Sequence, residues 1–434
     1  MAHIHIPDSV QVRFLPRNRG AGLVFGLMFV VGLVAFIIQA GQDSTAAWAS
    51  YVSNWLFFSS IAMGAIMFAG ATTIVKAKWN WSLRRVSVAF AAFLPVAFVL
   101  LIPILIFARE NYFPWIEQMA YDPIVQKKAA YLNIPFLITR LLVGVGVLFS
   151  IGCYFAYLTV RPDMGRVSDE DLDDGRRNWR DRFMAGWAGQ EVEEHRSWER
   201  MSTLAPIMAL VYALVMSFTV YDLAMSLDSH WFSTLFGGWY FMGAFWGGIA
   251  ATAFTGMWLR RKDDYVTKAI GLQQRHDIGK LSFAFCVFWT YLFFAQYIVI
   301  WYGKLPWEQS YMIARAGEGW GAYSVAVILM CFVFPFAGLL GRAPKMNPRW
   351  MQGAALLILF GLWNERYWLV TPSLFEGYDV GRMTHHVLIG IGFLGLFLAS
   401  VRWFFSTFPV IQVWQPPQMA ELMESEVASS EVAR

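Results

Sequence analysis

Residues 351–370 read MQGAALLILFGLWNERYWLV. The stretch is largely apolar up to a short polar island, where Glu365 and Arg366 stand side by side. About 20 mostly apolar residues are what an α-helix needs to cross the ~30 Å hydrocarbon core of a bilayer. An acid and a base at that depth are costly unless they meet a partner or a wet cavity. The stretch is therefore read as a membrane span that carries interior polar chemistry.

Working outward, nine further apolar runs follow the same pattern, at 21–40, 51–75, 86–107, 134–160, 201–225, 235–259, 278–301, 320–340 and 383–405. Composition agrees. Of 434 residues, 57% are hydrophobic and only 15% charged, against about 25% charged in ordinary globular proteins. That excludes a string of soluble domains. Backbone polar groups find no water in lipid, so each run is expected to be a helix. The predicted fold class is an all-α polytopic membrane protein of about ten transmembrane helices. The formal charge of +4 gives no case for nucleic acid.

Lys and Arg set the expected orientation. With a cytoplasmic N-terminus, cytoplasmic segments hold 26 of the 34 Lys and Arg, and outer loops hold six. Both termini are thus expected in the cytoplasm. The expected parts are a tail at 1–20, a membrane domain at 21–407 and a tail at 408–434. The membrane domain includes an outer loop at 108–133, aromatic and holding two Pro, and a cytoplasmic loop at 161–200, dense in both charges. The cytoplasmic loop reads as a solvated face or as a docking surface. The first run is expected to be retained, because no small-residue cleavage site follows it. Gly22 with Gly26, Gly243 with Gly247, and Gly390, Gly392 and Gly395 suit close helix contacts.

Adjacent helix positions point about 100° apart. Glu365 and Arg366 are therefore expected to face different neighbours and to tie two helices together. Glu365 lies about 21 Å along its run, in the outer half, and Arg140 lies about 9 Å into a run of opposite direction. Asp222 falls near an outer end, Asp228 and His230 follow in a short outer loop, and His385 and His386 open the last run. Arg140, Asp222, Glu365, Arg366, His385 and His386 are expected to converge on one outer layer, for proton handling, for binding of a polar headgroup, or as structural ion pairs. Tyr291, Gln296 and Tyr297 are read as a hydrogen-bonded link that could extend to Ser217, Thr219 and Tyr221. The rival is an interfacial aromatic belt, which suits Trp301, Tyr302 and Trp307. Lys280 reads as a snorkelling side chain, with a proton-uptake role as the alternative.

Cofactor motifs are missing. Cys153, Cys286 and Cys331 form no CxxC or CxxCH, and His385, His386 and His230 are poor axial-ligand candidates. The tail pair His3 and His5 lacks further ligands. No Walker motif, nucleophile elbow or HExxH occurs.

Several motifs together carry a family resemblance: GGWYFMGAFWGG, FWTYLFFAQYIVIWYGKLPWE, the buried Arg of NIPFLITRLLVG, and GLWNERYWLV followed by THHVLIGIGFLGLF. Over residues 19–405 the chain resembles the NrfD-like, PsrC-type membrane subunits of quinone-linked oxidoreductases. It is most similar to the ActF-type subunits of bacterial alternative complex III, a respiratory quinol:electron-acceptor oxidoreductase. The resemblance implies two four-helix bundles with extra helices beside them, in a bacterial inner membrane. It implies no cofactor bound by this chain except quinone or quinol. Partners would be an ActC-type paralogue, an iron–sulfur subunit, multihaem cytochrome c subunits and small membrane subunits. Its implied task is proton conduction coupled to quinol oxidation. Glu365 and Asp222 are then read as proton carriers, Arg140 and Arg366 as gates, and His385 or His386 as the exit. Quinone contacts, if present, would use Asp228, His230 or His386. A secondary transporter is the unrelated alternative, though no helix break recurs at matching positions.

Overall fold

The computed structural model describes residues 10–317 and 319–416. His3, His5 and the acidic end of the chain lie outside the described residues. Ten long helices correspond one to one with the ten runs: α1 (Arg19–Gln42), α2 (Ser44–Ile74), α3 (Arg84–Phe107), α4 (Ile134–Met164), α5 (Gln190–Leu223), α6 (Thr234–Arg260), α7 (Leu272–Gly303), α8 (Gly321–Leu340), α9 (Pro348–Val370) and α10 (Val380–Thr407). No strand occurs among the described residues. The protein is an all-α polytopic membrane protein.

Eight of these helices are long and apolar enough to span a bilayer by hydropathy; α6 and α9 fall below that mark. Their mean is lowered by Gly, Trp and the polar groups they carry inward. At 27 and 23 residues they still reach roughly 40 and 35 Å. They are interior helices, and their weak hydropathy is a mark of their place in the bundle.

Local chemistry sets the helix ends. Asn18, Asn133 and Asp379 accept from the backbone N–H three residues on, at 3.2, 3.0 and 2.7 Å. Asp43 closes one helix and opens the next. Its N–H donates to Gln39 O at 2.7 Å and its carboxylate accepts from Ala46 N at 3.0 Å. That single residue folds α2 back along α1.

Helices α2, α3, α4 and α5 close a ring of contacts, and α6, α7, α8 and α9 close a second. α1 and α10 pack on each other and on α2. This is the expected pair of four-helix bundles with additional helices. The bundles meet where α2 crosses α6: a side-chain carbon on Gly64 would lie 2.1 Å from Ala244 O, and one on Gly248 would lie 2.2 Å from Gly64 C. Only glycine permits that approach. α2 is the central element, with 89% of its spanning window buried against 11% for α1. Gly392 meets Gly32 of α1 backbone to backbone, and Gly390 and Gly395 are equally crowded. Gly22 and Gly26, expected at a helix contact, have nothing within 4 Å. Their face is turned outward from the bundle.

Two spans are irregular. α3 passes through a 3₁₀ stretch, Ala89–Phe93, just before Pro95. α8 contains a π-helical turn, Leu329–Val333, ahead of Pro335. Proline lacks an N–H, and the Cys286 thiol of α7 sits 3.6 Å from the freed Cys331 carbonyl.

The end of the molecule that carries most of the basic residues is more ordered than a solvated loop. A helix at Asp174–Phe183, in the connection from α4 to α5, packs on α4 and α10. Arg161, nearly buried, donates to Glu193 (2.7 Å), the Tyr157 hydroxyl (2.7 Å) and the Phe183 carbonyl (2.6 Å). Residues 408–414 were expected in a free tail, yet Phe408, Val410, Ile411, Val413 and Trp414 are buried. Asp163, fully buried, pairs with Arg85 and accepts from the N–H groups of Val413 (2.8 Å) and Trp414 (2.9 Å). The N-terminal segment joins them: Leu15 N donates to Phe405 O (2.9 Å) and Val410 N to Arg13 O (2.8 Å). At the opposite end, the 108–133 segment forms short helices and packs on its own chain. Tyr112 is buried and its hydroxyl donates to Leu223 O at 2.5 Å.

Candidate functional site: two buried ion pairs and a polar seam

Arg140 of α4 and Asp222 of α5 meet as expected. Nε and Nη2 of the guanidinium donate to the two carboxylate oxygens at 3.1 and 2.8 Å. The guanidinium lies over the rings of Tyr131 (3.9 Å) and Phe136 (4.1 Å) and donates to Tyr131 O at 3.1 Å. Asp222 is buried, whereas Arg140 keeps an edge open. A bidentate, half-capped pair of this kind is geometrically specific.

Glu365 and Arg366 are both fully buried, and they pair with each other: Arg366 Nη1 donates to Glu365 Oε2 at 2.6 Å. This corrects the expectation that each would face a separate neighbour. The 100° between adjacent Cα positions constrains where side chains leave the helix, not where a long guanidinium arm ends. Arg366 does reach a second helix, lying 4.2 Å from the Tyr240 ring centroid of α6. Gly243 makes room there; an added side-chain carbon would sit 3.3 Å from Arg366 Nη2 and 3.4 Å from Trp289 Nε1.

The single converging layer is also corrected. One ion pair belongs to the first bundle and the other to the second, and no hydrogen bond or salt bridge joins them among the described residues. They share a level more than a pocket: Asp222 is one residue from the end of α5, and Glu365 is five residues, or about 7–8 Å, from the end of α9.

His386 is neither wet nor interfacial. It is fully buried, stacked on Trp363 at 4.6 Å and against Tyr367 at 4.3 Å. Asn54 of α2 is its polar partner. The Trp363 indole can only donate, and it donates to Asn54 Oδ1 at 2.8 Å. Asn54 Nδ2 therefore faces Ser50 O (2.9 Å), His386 Nδ1 (3.2 Å) and His386 O (3.3 Å). Where the amide donates to Nδ1, the neutral imidazole carries its proton on Nε2. That atom is buried and finds no protein partner. His385 is half-buried, its Nδ1 3.0 Å from Gly381 O.

His386 Nε2 is one of several such atoms among the described residues. Gln352 Oε1, Glu365 Oε1, Arg366 Nε, Trp289 Nε1 and Gln296 Oε1 are also buried without a protein hydrogen bond. They lie on α9 and on α7, both of which pack against α6. Buried polar atoms are normally satisfied, so a run of exceptions needs a cause.

The remaining candidates divide. Tyr291 and Tyr297 are 62% and 41% exposed, so they face outward and are no part of an interior link. Only Gln296 of that trio turns inward. Ser217 and Thr219 close onto their own helix (Ala213 O, 2.7 Å; Val215 O, 2.8 Å), and Tyr221 caps Thr234 O at 2.8 Å. Lys280 pairs with Asp277 at 2.6 Å. His230 meets Asp122 at 2.5 Å at the outer surface, and that contact, first among several, holds the Asp122 carboxyl below its usual range. Asp228 borders a cavity of about 290 Å³ with Lys128, Tyr131 and Trp231. Burial lowers the Lys128 ammonium, opposed by Asp228 and Asp122. Of the sequence candidates, Asp228 is the one placed to touch a guest molecule there. Among the described residues no three His, Cys, Asp or Glu side chains gather as a metal site.

Of the buried arginines that escaped the sequence reading, two stand out for their contacts. Arg85 pairs with Asp163, and Arg315 stacks 3.3 Å over Tyr311 while donating to Trp368 O (3.2 Å) and Leu369 O (2.7 Å). Both lie just outside an apolar run, where charge looks ordinary. Comparison of the sequence with protein-family models and with curated proteins returns no match.

Proposed function

We propose that this chain is a membrane subunit of a respiratory quinol oxidoreductase of the NrfD-like kind, most like the ActF-type subunits of alternative complex III. Its task in that reading is to conduct protons while partner subunits carry the iron–sulfur clusters and haem c. The observation that carries the reading is Glu365. It is fully buried, held on one oxygen by Arg366, with its other oxygen buried and unpartnered. Internal waters satisfy such atoms when the site is polar. A buried carboxyl in contact with water and a fixed cation can gain and lose a proton without moving far. Desolvation favours the neutral acid and the guanidinium favours the anion, and opposed effects of that kind make a switchable group. His386, buried with its Nε2 free of any protein partner among the described residues, is the relay candidate toward the outer end.

The test is Glu365→Gln in the assembled complex. The proton-to-electron ratio is expected to fall while quinol-driven electron flow persists. An unchanged ratio overturns the role of Glu365.

A second reading has one observation in its favour. The 290 Å³ cavity beside Asp228 suits a polar ring at the outer end. If this chain binds quinone itself, Asp228→Asn should weaken the binding of a soluble quinone analogue to the purified subunit.

A further inference from the structure

At the basic end of the molecule, an open groove of about 770 Å³ lies where α2 ends beside α4 and α5. Lys76 and Arg200 line it from two different elements. Lys76 follows directly on the end of α2 and adopts a left-handed backbone, φ 52°. That conformation is uncommon for a non-glycine residue. Neither cation forms a salt bridge among the described residues. Glu199, on the rim, faces His195 at 3.3 Å, and Arg200 touches only the Tyr154 hydroxyl at 3.5 Å.

Depth gives the groove a second character. Arg200 stands one residue before the apolar run of α5, Tyr154 lies near the end of the apolar run of α4, and Lys76 follows the apolar run of α2. Three helices thus agree that the groove sits at the edge of the hydrocarbon. Trp198 and Tyr154 supply interfacial aromatic rings. Leu204 and Ile207 continue the wall along α5 toward the membrane core, and Ile207 is 48% exposed. Unpaired cations above, aromatic rings at the rim and aliphatic side chains below match, in order, a phosphate, a glycerol ester region and an acyl chain.

We propose that this groove is a binding site for one anionic phospholipid, its phosphate held between Lys76 and Arg200 and its acyl chain along Leu204 and Ile207. The site is independent of the proton seam and of the family resemblance. A zwitterionic lipid offers the same phosphate with a cancelling charge, so it should bind more weakly.

Native mass spectrometry of the purified full chain, titrated with phosphatidylglycerol or with phosphatidylcholine, tests this. Phosphatidylglycerol should bind first and more tightly. Each surface cation contributes on the order of fivefold, so Lys76→Ala with Arg200→Ala should weaken that first binding by about tenfold or more and leave phosphatidylcholine unchanged. The exchange Lys76→Arg with Arg200→Lys should restore it, which separates lost charge from a damaged fold. Millimolar inorganic phosphate should not compete, because it lacks the acyl chain; full competition would make the groove a phosphate site and overturn the lipid assignment. Equal binding of the two lipids by the wild-type chain, or undiminished phosphatidylglycerol binding by the alanine variant, also overturns it.

Discussion

At the scale of single residues, Asn54 decides more than its size suggests. It is held by an indole donor on one side and a carbonyl on the other, so its amide cannot flip, and it presents its N–H groups to His386 Nδ1. Asn54→Leu would leave Trp363 Nε1 and His386 Nδ1 buried and unpaired, at about 1–3 kcal/mol each. We expect a loss of about 2–4 kcal/mol, read from thermal denaturation in detergent. Asn54→Asp offers His386 an acceptor in place of a donor and should move the proton to Nδ1, visible in the ¹⁵N shifts of the ring. Asp222→Leu leaves Arg140 without its counter-charge, and a broken buried pair costs about 3–5 kcal/mol. Arg140, Asp222, Glu365 and Arg366 were legible as interior ions because they interrupt otherwise apolar runs. Their pairing was legible only for the first two. Depth in a helix can be counted along a sequence, but the reach of a guanidinium cannot. Asn54 was not singled out at all, since a lone Asn in a span of Ser, Trp and Phe carries no periodic signal.

At the scale of elements, the interior helices are recognisable by what they lack. α6 is poor in hydropathy and rich in glycine because it is pressed between neighbours. Gly248→Leu would drive a side chain into the backbone of α2 and should prevent assembly of the two bundles, seen as loss of monodisperse protein on size exclusion. Gly26→Leu, on an open face, should be tolerated. Sequence spacing marks both sets alike as small-residue motifs; only the neighbour distinguishes them. The same limit explains Tyr291 and Tyr297, whose helix was placed correctly but whose rotation depends on partners that one sequence does not reveal. The 108–133 segment makes a prediction in pH. Asp122 caps the helix Pro123–Lys127 and meets His230, and its folded carboxyl lies below the ordinary 3.8. A depressed carboxyl stabilises the folded form in full above that ordinary value and loses the contribution as pH falls through the lower, folded value. Proteolysis in the 108–133 segment should therefore rise below about pH 3.8, and Asp122→Asn should remove the acid dependence.

At the scale of the whole molecule, two bundles share one wall, and each carries a paired acid near the same end. The number of spans and the bundle pairing followed from hydropathy and from the family resemblance. The basic end did not follow, because charged sequence reads as loop whether or not it folds. Arg161 and Asp163 turn that sequence inward by satisfying carbonyl and N–H groups that would otherwise need water. Trp414→Ala should cost about 3–5 kcal/mol, as for other buried large side chains, measured by chemical or thermal unfolding. The last described residues supply two of the donors to Asp163, and residues 13–15 bond to residues 405–410. A ribosome making this chain delivers those donors only after all ten helices have been synthesised. Until then, the Arg85–Asp163 hub is half-built, so a product that stops before Val413 should be recognised and cleared by membrane proteases even when every helix has been inserted.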